Sequence, residues 1–154
     1  MMLAGTQNRI HRDEATMTEK TDISCSYGFE RRLQQVTFDQ AIDKVTSALK
    51  REGFGILTQI DVKETLKKKL DVNFRPYLIL GTCNPVLAHK ALTAEPQIGL
   101  LLPCNVVVQD GPAGSILVSI ADPRAMFTIV DNPDLAPVVE EADQRLRRVI
   151  ASLA

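Results

Sequence analysis

The chain of 154 residues has no tryptophan, two tyrosines, two histidines and three cysteines. With only Tyr27 and Tyr77 it offers no aromatic cage for a cation and no stacking platform for bases. An odd number of cysteines does not close a disulfide framework. An excess of one charge is missing too. Lys and Arg number 18 against 19 Asp and Glu, for a net charge of −1. That removes the electrostatic case for DNA, RNA or an anionic membrane as a partner. No apolar run approaches the ~18 residues of a membrane span. The opening stretch, MMLAGTQNRIHRDEATMTEKTDIS, lacks the apolar core of a secretory signal. No Rossmann or P-loop glycine fingerprint occurs. Together these absences suggest a cytoplasmic protein with reduced thiols.

What is present reads as one globular domain. Apolar residues make up 45% and charged residues 24%, ordinary values for a chain long enough to bury a real core. Residues 1–25 show no periodicity and read as a flexible leader, with Met17 an alternative start. His11 and Cys25, in or beside that leader, carry no expected chemistry. Residues 26–154 form the domain. SYGFERRLQQV suggests a first strand. Thr37 and Gln40 make a capping-box pattern ahead of Phe38, Ala41, Ile42, Val45, Ala48 and Leu49 at helical spacing, and Gly53 stops that helix. FGILTQI is a second strand.

Asp61 and Glu64 repeat the capping logic for a short helix rich in lysine. Its charge reads better as a solvated face than as an anion patch, because acidic residues flank it and no glycine-rich phosphate loop is present. NFRPYLILGTC is a third strand with Pro76 at its edge or start. Asn84 and Pro85 cap a helix, VLAHKALTA, that ends at Pro96. IGLLLPCNVVVQ reads as a fourth strand, apolar on both faces and so central; a partner subunit is a candidate cover for one face. DGPAG turns into strand five, SILVSIA. Asp122-Pro123 opens a short helical segment, and a last helix carries a wide apolar stripe from Leu135 to Leu153. This order predicts an α+β fold, with a mixed or antiparallel sheet and helices packed on one side.

Chemistry concentrates in GTCNPVLAHKALTAEPQIGLLLPCN, residues 81–105. It holds Cys83, Asn84, His89, Cys104 and Asn105, polar or reactive residues in otherwise apolar segments. Cys83 precedes a helix cap, and the free N–H groups there favour a thiolate. If the third and fourth strands ran parallel through a crossover helix, Cys83 and Cys104 would meet at matching ends. Several readings follow. Cys83, His89 and Cys104 suit Zn²⁺ or another soft metal, although no CxxC or HxxxH spacing supports it. Cys83 as nucleophile, His89 as base and Asn84 as an orienting amide suit a thiol enzyme. The same residues suit a small-molecule ligand pocket. The plain alternative is that the cysteines are small buried hydrophobes and the asparagines are caps.

YGFERRL, EGFGILTQIDVKETLKKKLDVNFRPYLILGTCNP, LAHKALTAEPQIGLLLPCNVVV and ADPRAMFTIVDNP together resemble the family called domain of unknown function 302, over about residues 26 to 152. The resemblance implies a β-α-β-β-β-β-α arrangement similar to that of TATA-binding protein, and often a homodimer. It implies no activity. It places the family's motif residues at Cys83, Asn84, Pro85, His89, Pro103, Cys104 and Asn105. The expectation drawn from residues and resemblance together is a small cytoplasmic ligand- or metal-binding sensor domain, homodimeric. The alternatives are a thiol enzyme acting through Cys83 and a structural protein acting through its dimer.

Overall fold

The computed structural model describes residues 25–153. The expected leader, with His11 and the alternative start at Met17, lies almost wholly outside the described residues. Five strands form one sheet in the order β1-β5-β4-β3-β2. They are β1 (Gly28–Leu33), β2 (Gly55–Asp61), β3 (Tyr77–Cys83), β4 (Cys104–Asp110) and β5 (Ile116–Ala121). Every neighbouring pair is antiparallel. The helices are α1 (Phe38–Arg51), α2 (Val62–Leu70), α3 (Pro85–Ala94), α4 (Pro123–Phe127) and α5 (Ala136–Ser152). The expected α+β fold is therefore present.

Local chemistry sets the helix ends. Thr37 Oγ1 accepts from the Gln40 N–H at 3.1 Å, and Gln40 Oε1 accepts from the Thr37 N–H at 3.0 Å, so the capping box of α1 is closed in both directions. Gly53, at φ +83, adopts the left-handed backbone that ends α1; the Gly53 and Phe54 amides then bond back to Lys50 and Leu49. The lysine-rich α2 buries no residue. Its charges pair along its own surface, Lys67 with Asp71 and Lys68 with Glu64, as a solvated face would.

The main core lies between α1, α5 and one sheet face. Alternation along the strands assigns Leu78 and Leu80 of β3, Val106 and Val108 of β4, and Ile116, Val118 and Ile120 of β5 to that face. Ala41, Val45, Ala48 and Leu49 of α1, with Leu146 and Val149 of α5, close over them. A second, smaller cluster lies beyond the end of the sheet. Ala91 and Ile98 meet Leu135 there, with Leu101, Leu102, Phe127 and Val138 packed around them. No helix among the described residues is long and apolar enough to cross a membrane.

Two expectations about strand four need correction. It begins at Cys104, not at Ile98. Residues Pro96–Leu101 form a 3₁₀ helix, started by a proline already suited to a first helical position, and the Leu102-Pro103 bond is cis. Strands β3 and β4 are also antiparallel rather than parallel. Helix α3 does not cross a sheet face. It packs beyond the sheet end against α5 and the 3₁₀ helix, and the chain re-enters the sheet at the end it left. One half of the β4 expectation stands: the strand is central. Only its Val106/Val108 side lies under helices; Val107 on the other side is half-buried.

Candidate functional site

The antiparallel register brings the two cysteine segments together by a different route from the one expected. Thr82 lies opposite Cys104, and Thr82 Oγ1 donates to the Cys104 carbonyl at 3.0 Å. Four of the five residues of GTCNP then have a stated role. A Cβ on Gly81 would collide with Thr58 Oγ1 and stand 2.8 Å from Pro103 Cγ, so only glycine lets the proline of the second motif rest on the first. Thr82 supplies the cross-strand bond. Asn84 Oδ1 accepts from the Leu87 N–H at 3.2 Å and caps α3, and Pro85 occupies its first turn. That leaves Cys83.

Cys83 and Cys104 both line an apolar cavity of about 320 Å³ at the seam between the two clusters. Phe54 of the main core and Ala142 of α5 wall one side of it. Leu87, Ala88 and Ala91 of α3, with Leu102, Phe127 and Val138, wall it from the second cluster. Leu57 and Leu92 also line it while being 66% and 43% exposed, which makes them its rim. Leu57 reaches the rim through a bulge. The β2–β3 register shifts between Ile56 and Thr58, so Leu57 is the extra residue, and bulges re-aim side chains in this way.

The electrostatics run against a thiolate. Burial pushes the Cys83 thiol up. Burial first, and then the neighbouring Cys83, push the Cys104 thiol up to about 11. Although Cys104 keeps some exposure, the apolar surroundings make its charged form costly. The expectation that the start of α3 would favour a Cys83 thiolate is thereby corrected: burial in apolar surroundings favours the neutral thiol. Both thiols are neutral at pH 7, whereas a cysteine nucleophile works as the thiolate.

The remaining expected residues divide. Asn84 lines the cavity with the two cysteines. His89 is exposed, on the part of α3 away from the cavity lining. Asn105 is exposed and belongs to a separate hollow of about 170 Å³, which Cys104 also borders. Among the described residues, no group of three or more His, Cys, Asp or Glu side chains is placed to hold a metal ion. The suggested Cys83, His89 and Cys104 metal set is therefore not assembled, because the imidazole faces solvent while the thiols face the cavity. Sequence reasoning missed Leu57, Phe54, Leu87 and Leu102 as site residues. A bulge and a seam between two clusters leave no periodic signal.

These features define a class: a small α+β domain with an antiparallel sheet and an apolar cavity at its end. The sequence matches the family model described as "Domain of unknown function DUF302" over residues 29–153. The chain belongs to that family. The crystal structure of an uncharacterized conserved DUF302 protein from Bacillus stearothermophilus is similar to it, with a TM-score of 0.76 and 26% identity. The match covers 84% of this chain and all of that one. No curated protein matches the sequence.

Proposed function

We propose that this domain binds a small, largely apolar ligand in the cavity at the end of its sheet. One observation carries the reading: a hollow of about 320 Å³ walled by Phe54, Leu87, Ala91, Leu102 and Phe127, with two neutral thiols in its wall. Ligand sites are concave, mostly apolar and furnished with a few placed polar groups, at volumes from about 300 Å³ upward. Thr82 is committed to the Cys104 carbonyl and the Asn84 carbonyl oxygen to the α3 cap. The cavity therefore recognises shape and apolar surface first, with soft thiols in contact rather than as reagents.

The test is a titration with 1-decanol, followed by NMR shifts of the cavity methyl groups and by the rise in Tm. Saturable shifts at Leu87, Leu102 and Val138 are expected. Ala88→Trp, which fills the hollow, abolishes them. Leu57→Glu, at an exposed rim position where substitution costs little stability, weakens binding about tenfold while leaving Tm of the free protein within a few degrees. Shifts that fail to saturate, or that persist unchanged in both variants, overturn the reading.

A further inference from the structure

A second hollow, of about 430 Å³, lies between α3 and α5 and adjoins the first. Asn84, Leu87 and Val138 line both. The rest of its lining differs in kind: Lys90, Glu141 and Arg145 are charged. Arg145 is held in place by two bonds, Nε to Glu141 at 2.7 Å and Nη1 to the Glu52 carbonyl at 3.0 Å. The Asn84 amide nitrogen and Arg145 Nη1 both lie beside Gly53. The place where a Gly53 Cβ would stand is 3.0 Å from Asn84 Nδ2 and 3.6 Å from Arg145 Nη1. Two cations, one anion and an amide donor thus border a space that touches the apolar cavity, and the local charge is net positive.

Resting on the ligand-binding reading above, we infer that the ligand is an anionic amphiphile, an acyl chain ending in a carboxylate. Its chain fills the thiol-lined cavity, and its head group lies in the adjoining hollow against Lys90, Arg145 and the Asn84 amide. The division of labour is chemical. The 320 Å³ cavity has no charged lining residue and would exclude an ionised head, whose desolvation is costly. The neighbouring hollow has charged and polar side chains in its lining that can hydrogen-bond that head. Asn84 stands at the junction, with its carbonyl oxygen spent on the helix cap and its nitrogen on the charged side. Val86, 64% exposed, adds apolar surface beside the head-group hollow and suits the first methylenes of such a chain.

The experiment compares decanoate with 1-decanol at pH 7 on the full chain, by calorimetry, at low and at high salt. Decanoate is expected to bind about tenfold tighter, the value of one charge-assisted contact. That preference should shrink as salt screens the partly exposed cations. In Lys90→Glu the ratio should fall to about one or reverse. Equal affinity of the two probes in the unaltered protein, or a decanoate preference that survives Lys90→Glu, overturns the inference while leaving the cavity a site for apolar ligands. Failure of both probes to bind removes the inference and the underlying reading together.

Discussion

The two apolar clusters of this domain are built from similar residues and end differently. Under the sheet, strands present a residue every second position to two long helices, and Leu80, Val106, Val118, Leu49 and Leu146 are fully buried. Beyond the sheet end, a short helix, 3₁₀ turns and prolines meet with no common period, and the cluster there has three buried members, Ala91, Ile98 and Leu135. Regular periods interlock and leave few voids. Irregular segments met at an angle leave a seam, and the cavity lies in that seam. Stability therefore resides mainly in one region, and the proposed binding site lies in the other.

That contrast can be broken by substitution. In the main core, Leu146→Ala should cost about 2–5 kcal/mol, the range for a buried leucine that leaves a hole. Leu102→Ala, in the cavity wall, should cost less than half as much, because a void is already beside it. Urea denaturation of both variants measures the difference, and equal losses would show that the seam is packed as tightly as the core. A second test addresses the contact that joins the two motifs. Gly81→Ala should cost about 1–3 kcal/mol, because the added methyl group meets Thr58 and Pro103 and overpacking has that price. Gly55→Ala, where no atom lies within 4 Å of the added Cβ, is the control and should cost far less.

A smaller effect separates the thiols from ordinary core residues. The Cys104 thiol keeps its proton up to about 11 in the folded chain, above the ~8.5 of a free thiol. The folded state therefore holds the proton longer. Its contribution to stability is complete below pH ~8.5 and is lost as pH rises from there through about 11. Allowing for the thiol's partial exposure, the loss is at most about 2 kcal/mol. The readout is the difference in alkaline stability between the unaltered chain and Cys104→Ala, which isolates the thiol. If the two curves run parallel from pH 8 to 11, the thiol is not held neutral by its surroundings.

The periodic half of the molecule was legible before the structure. The T-F-D-Q box at Thr37, the αL stop at Gly53, the Asp61 and Asn84 caps and the stripe of α5 all follow local rules that tertiary packing did not override. The candidate site was legible only as residue types. Cys83, Asn84 and Cys104 do share a cavity, but their convergence depends on strand direction, which no local pattern encodes. His89 has the chemistry of a ligand and the position of a surface residue. The LLPCN stretch read as strand because its residues are apolar; Pro96 and Pro103, which cannot donate to a ladder, delay pairing until Cys104. The bulge at Leu57 has no signature at all, since it is a mismatch between two strands.

The most direct measurement is a crystal of this protein pressurised with xenon, an apolar guest that enters dry cavities large enough to hold it. An anomalous peak among Cys83, Leu87, Leu102 and Phe127, absent in Ala88→Trp, is the predicted result. A map in which that space is filled by the Leu57 and Leu92 side chains, with no xenon in it, would contradict the account.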